Sequence, residues 1–164
     1  MADNTRSFPE NTQEFEEKIV QVNRVSKKTK GGNKIGFSVL AVVGDKKGKV
    51  GVGLGKAPDV SSAIKKGVAF AKKHQIEVPI INGTIPFEYN IKLGAAKVIL
   101  KPAPPGSGII AGGAVRSVVS AAGIANISSK VLGTKNQASN VYATIEALRL
   151  LSLRYKREMA RKEK

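Results

Sequence analysis

The chain has no cysteine, no tryptophan and a single histidine, and only 12 carboxylates stand against 28 lysines and arginines in 164 residues. Each shortage removes a class of chemistry. Without cysteine there is no disulfide framework and no thiolate to act as nucleophile or ligand, which suits a reducing compartment such as the cytoplasm. The one histidine, His74, stands among lysines at the end of an expected basic helix. That position suits solvent exposure better than the work of a general base, so no enzyme activity is expected. One histidine and acids gathered near the N-terminus leave no ligand set with metal spacing, so no metal or other cofactor is expected. No apolar run approaches the roughly 18 residues of a spanning helix. The opening MADNTRSFPENTQEFEE is polar and acidic, unlike a secretory signal.

What is present is apolar enough to fold and far too basic to be indifferent to anions. Hydrophobic residues make up 41% and charged residues 24%, enough for one or two small domains with real cores. The net charge of +16 costs self-repulsion in the folded state, a cost normally offset by a polyanion, with nucleic acid the leading candidate. The charge is also unevenly placed. Residues 1–17 carry five acids and one cation, whereas between Lys18 and Lys73 only Asp45 and Asp59 oppose 14 cations.

Inside that basic region lies RVSKKTKGGNK, residues 24–34, with Arg24, Lys27, Lys28, Lys30 and Lys34 and no acid. It reads either as a solvated surface loop or as a loop that bends at Gly31 and Gly32 to reach phosphates. Flanking it, Ile19–Val25 is strand-like, and Ile35, Phe37, Val39, Ala41 and Val43 fill one parity of a second strand. A turn at residues 44–48 leads to a third strand, which alternates Val50, Val52 and Leu54 with Gly51, Gly53 and Gly55. One face of that strand carries side chains and the other is bare backbone, open to close approach by a ligand or to crowding by a neighbouring segment. Asp59 is placed to N-cap a helix with Val60, Ala63, Ile64, Gly67, Val68 and Ala71 on one side and Lys65, Lys66, Lys72 and Lys73 elsewhere.

After residue 75 the pattern restarts. Ile85, Phe87, Tyr89, Ile91 and Leu93 alternate as a strand, Gly94–Ala96 turns, and Val98 and Leu100 pair back. Ala114–Ala122 predicts a helix closed by Gly123, Ile127–Leu132 a strand, and Val141, Ile145, Leu148 and Leu151 the buried stripe of a long last helix. The glycine-rich PAPPGSGIIAGGAV, residues 102–115, matches neither the P-loop nor the dinucleotide spacing, so tight packing or protein contact outweighs small-ligand phosphate binding. The expected fold class is α+β. Residues 1–14 read as an acidic, flexible tail, 15–75 as a first domain, 76–153 as a second, and 154–164 as a basic tail.

The residues resemble a known family. Asn23-Arg24-Val25-Ser26-Lys27, Lys30-Gly31-Gly32, Val42-Val43-Gly44-Asp45, Val50-Gly51 and Gly55-Lys56-Ala57 are similar to the first domain of small-subunit ribosomal protein five. Gly108–Arg116, Ala122-Gly123-Ile124, Leu132-Gly133, Asn136, Asn140-Val141 and Ala143-Thr144 resemble its second domain. The resemblance, over roughly residues 15–153, implies a double-stranded-RNA-binding-like first domain of three antiparallel strands and a helix, then a second domain with a left-handed βαβ crossover. It also implies a structural, non-catalytic part of the small ribosomal subunit. Small-subunit rRNA would be met by Arg24, Ser26, Lys27, Lys28, Lys30, Gly31, Gly32, Lys34, Lys49, Gly51, Gly53, Gly55 and Lys56. The loop Ser26–Asn33 would point to the neck of the subunit, near the rRNA site of spectinomycin, with no small-molecule substrate of its own. Gly106, Gly108 and Arg116 would lie at the contact with protein four, associated with decoding accuracy; protein eight would pack nearby, and first-domain cations would lie near the path of incoming mRNA. Two rivals remain, a free-standing double-stranded-RNA binder and a small-molecule kinase; Gly112-Gly113-Ala114 lacks the hydroxyl and carboxylate that the kinase would need.

Overall fold

The structure, a computed structural model, describes residues 15–162; the expected acidic tail, residues 1–14, lies outside the described residues. The first sheet is built from β1 (Glu16–Thr29), β2 (Gly32–Gly44), β3 (Lys49–Ala57) and β4 (Gln75–Glu77), in that order and antiparallel throughout. Helix α1 (Val60–Lys73) connects β3 to β4. The expected three-stranded meander therefore gains a fourth strand. The division expected after residue 75 falls at the start of β4, whose pairing with β3 carries the first sheet through Glu77.

The second sheet comprises β5 (Tyr89–Leu93), β6 (Ala96–Pro102), β7 (Ile109–Ile110) and β8 (Ile127–Leu132), ordered β5-β6-β8-β7. Helix α2 (Gly113–Ala122) links β7 to β8, which run parallel, and α3 (Gln137–Lys162) follows. Ile85 and Phe87, expected in the strand, precede it, because a turn bridged at Ile81 and Thr84 followed by Pro86 delays pairing until Tyr89. The basic tail expected from residue 154 is instead helical to Lys162 as part of α3, where Arg154 pairs with Glu158 at 3.1 Å and lies 4.9 Å over the Phe87 ring.

Helix α1 packs on one face of the first sheet, while α2 and α3 touch both sheets and lie between them. Strand alternation makes this possible. Val39, Ala41 and Val43 of β2 face α1 with Ala63, Val68 and Ala71, and the opposite parity, Leu40 and Val42 with Val50 and Val52 of β3, joins Val115, Val118, Ala147 and Leu151 in one cluster. The two sheets therefore share a core.

The turn between β2 and β3 docks on the end of α2. An α-helix leaves its last carbonyls without partners, and here Lys46 N–H donates to Ala121 O at 3.1 Å and Gly48 N–H to Ala122 O at 2.9 Å. Asp45 holds the turn by accepting from the N–H groups of Lys47 and Lys49 at 2.8 and 2.9 Å. A Cβ on Gly44 would stand 2.0 Å from Ala121 O, so only glycine lets the chain reach the helix end.

Candidate nucleic-acid interface

The run at residues 24–34 is a strand ladder rather than the expected loop. β1 and β2 stay paired to Thr29 and Gly32, whereas β2 and β3 part after Phe37 and Ala57. Residues 25–36 thus form a two-stranded arm projecting past the sheet. Val25 and Ile35 suit an extended backbone, and the lysines between them are held there by the ladder, which satisfies the backbone polar groups. Lys30 and Gly31 make the turn, and Thr29 Oγ1 donates to Gly32 O at 2.8 Å across it. The left-handed residue is Gly32, at φ +131°, not Gly31.

Opposite residues on antiparallel strands share a face. Lys27 stands opposite Lys34, on the face that carries Val25, while Arg24 and Ser26 stand opposite Phe37 and Ile35 on the other. Lys28 faces Asn33. Two lysines directly opposite repel each other, and among the described residues neither has a carboxylate partner. Val25 and Ile35 remain 41% and 43% exposed, and a cavity of about 310 Å³ lies against Arg24, Val25, Ser26, Asn33 and Ile35. The arm therefore carries cations on both faces, uncovered apolar side chains and a free end.

The other expected RNA contacts divide. Lys56 sits at the root of the arm, opposite Ser38, beside a second cavity of about 280 Å³ shared with Asn23 and Asn136. Lys49 begins β3 at the far end of the sheet, opposite Glu77, about 23 Å from Lys56 at the usual rise of a strand. Gly51, Gly53 and Gly55 require correction, because the bare face belongs to α1. A Cβ on each would stand 2.1, 2.1 and 2.0 Å from the carbonyl oxygens of Ala71, Gly67 and Ala63 respectively. Four helical residues rise about 6 Å and two strand residues about 6.6 Å, so the stripes Ala63-Gly67-Ala71 and Gly55-Gly53-Gly51 mesh in register. RNA has no access to that face.

Gly106, Gly108 and Arg116 do come together, at the edge strand β7. The N–H groups of Gly106 and Gly108 both donate to Asn126 Oδ1 at 3.1 Å, which occupies the donors an anion would need. Arg116 Nη2 donates to Ile109 O at 3.3 Å, and Ile110 beside it is 57% exposed. A feature not anticipated is the outer face of the second sheet, where Lys92 stands opposite Lys97, and Ile99 opposite Lys130. Its signal was the alternation of lysine with Ile91, Leu93, Val98 and Leu100.

The shifted titrations lie on α3, away from the arm. Hydrogen bonds from the Arg149 guanidinium hold the Glu146 carboxyl below the usual carboxylate range, and burial pushes the Tyr142 phenol up. Among the described residues no three histidine or acidic side chains gather as a metal would require, and no helix is long and apolar enough to cross a membrane.

Comparison with known proteins matches the chain to two family models, "Ribosomal protein S5, N-terminal domain" over residues 15–79 and "Ribosomal protein S5, C-terminal domain" over residues 91–163. A protein of Thermotoga neapolitana named "Small ribosomal subunit protein uS5" is 56% identical over 139 residues, which cover 85% of this chain and 78% of that one. Its counterpart of the same name in Thermotoga maritima is 54% identical over the same spans.

Proposed function

Because the chain belongs to the ribosomal protein S5 family, we propose that it is a structural constituent of the small ribosomal subunit in the cytoplasm. In this reading it binds small-subunit rRNA, packs against neighbouring ribosomal proteins, supports translational accuracy and catalyses no reaction. The single observation that carries RNA binding is the arm, where Lys27 and Lys34 stand opposed with no carboxylate between them. A fold keeps such a repulsion where an external anion relieves it. Arg24, Ser26, Lys27, Lys28, Lys30, Lys34 and Lys56 are the RNA-facing residues of this reading, with Gly32 shaping the tip, Gly31 beside it in the turn, and Lys49 meeting a separate phosphate.

Gly106, Gly108 and Arg116 form the proposed contact with protein four, supported by the exposed Ile110 among polar neighbours at a sheet edge. Protein eight as a neighbour, mRNA near first-domain cations, a first domain of double-stranded-RNA-binding type and a left-handed sense for β7-α2-β8 complete the proposal. The first domain is assigned as residues 15–77, to the end of β4, and the second as residues 78–162, to the end of α3.

Affinity for an rRNA fragment, measured against salt, tests the reading. The five cations of residues 24–34, displacing counterions, give a slope of log K on log salt of roughly −4, at about 0.7 to 0.9 per phosphate. A slope near zero, or a tagged protein that sediments apart from small subunits in a gentle lysate, would contradict it.

A further inference from the structure

The outer side of α1 carries an aromatic pair that the fold does not use. Phe70 and His74 stand one turn apart with ring centroids 4.1 Å from each other and planes inclined by 21°. His74 Nδ1 lies 2.9 Å from Phe70 O; a carbonyl only accepts, so Nδ1 carries the proton and the bond pins the imidazole in place. Phe70 nevertheless remains 47% exposed, while α1 buries Ala63, Gly67, Val68 and Ala71 on its sheet side. Helical spacing puts Lys66 one turn before Phe70, and Lys73 follows on the same side. Lys72 is engaged by Glu17 at 2.8 Å, but among the described residues no carboxylate pairs with Lys66 or Lys73. A fixed, solvent-facing stack between unpaired cations has the composition of a single-stranded nucleic-acid platform, where bases stack on rings and ammonium groups follow the backbone.

We propose that Phe70 and His74, with Lys66 and Lys73, form a second RNA site that stacks an unpaired nucleobase, distinct from the arm. The base extends the existing two-ring stack, and the lysines meet its flanking phosphates. This inference rests on the RNA-binding reading only for the class of partner. It adds a preference for unpaired strands, which the arm, built to enter a groove, does not require.

The test uses the full chain and a short single-stranded RNA carrying 2-aminopurine, beside the duplex of the same sequence. Binding of the single strand is expected to quench the 2-aminopurine fluorescence. Phe70→Leu, which keeps the apolar bulk and the helix, is expected to abolish the quench and weaken single-strand binding about fivefold or more, leaving the salt slope unchanged. Phe70→Tyr is expected to keep the quench. Lys66→Gln is expected to keep the quench and reduce the salt slope by about 0.7. Full quenching with Phe70→Leu, or equal weakening for single strand and duplex, would overturn the platform while leaving the arm reading intact. Failure of the unaltered protein to bind either RNA would overturn both.

Discussion

A methyl group on Gly53 would stand 2.1 Å from Gly67 O, a backbone atom that cannot turn aside, so α1 would have to lift from the sheet. Gly53→Ala is therefore expected to destabilise the protein by about 1–3 kcal/mol, in the range of overpacked cores. The salt slope of RNA binding should not change, which a melt and a titration on the same preparation would check. At the tip of the arm the backbone angle decides instead. A Cβ on Gly31 would meet nothing within 4 Å and the residue has no left-handed angle, whereas Gly32 has φ +131°. Gly31→Ala should leave rRNA affinity unchanged, and Gly32→Ala should lower it by straining the turn by about 1–3 kcal/mol; equal effects would show that the tip does not set the arm's shape. The glycine alternation was legible in the sequence, but its occupant was not. Period-two glycines state only that something comes close, and that it is α1 follows from Ala63, Gly67 and Ala71 lying four apart, a match visible only across two elements.

Strands β2 and β3 were legible because Ile35, Phe37, Val39, Ala41 and Val43 hold one parity, and Val50 and Val52 alternate with Gly51 and Gly53. The continuation of β1 to Thr29 was not, since lysines and glycines carry little strand preference and the ladder itself holds them there. The ladder changes what a charge reversal should do. In a loop, Lys27→Glu would only remove an RNA contact. In the ladder it also replaces a like-charged cross-strand pair with Lys34 by an attractive one. The melting midpoint should then hold or rise slightly while rRNA affinity falls and the salt slope loses at least about 0.7. A fall in melting together with an unchanged slope would mean that the arm is neither paired as described nor engaged with phosphate. Lys34→Glu should behave alike, and the double reversal should restore neither affinity nor slope. The second sheet shows the same limit of sequence reading: β7 is only two residues long, too short for a periodic signal, yet it sets the edge to which Gly106, Gly108 and Arg116 gather.

At the scale of the whole molecule, the division into two units was legible from the restart of alternation after residue 75, but the sharing of one core was not. A strand buried on both faces reads as a continuous apolar run, and Val39–Val43 is such a run, with α1 on one side and α2 on the other. The consequence is dependence. Leu40, Val42, Val50 and Val52 are buried in the cluster that includes α2 and α3, and side chains of this size contribute about 1.5 kcal/mol or more each on burial. Exposing all four would forfeit on the order of 6 kcal/mol, comparable to the whole stability of a small domain. Its joint would be lost as well, because the turn at Lys46 and Gly48 donates to the end of α2. A fragment of residues 15–79 should therefore melt far below the full chain, without a sharp transition, and expose apolar surface to a dye. The full chain should unfold in one step that tryptophan-free probes, far-ultraviolet dichroism and tyrosine absorbance, report at the same temperature. A fragment melting as sharply and as high as the full chain would show that α1 alone suffices to hold the sheet, and that the second face is merely covered.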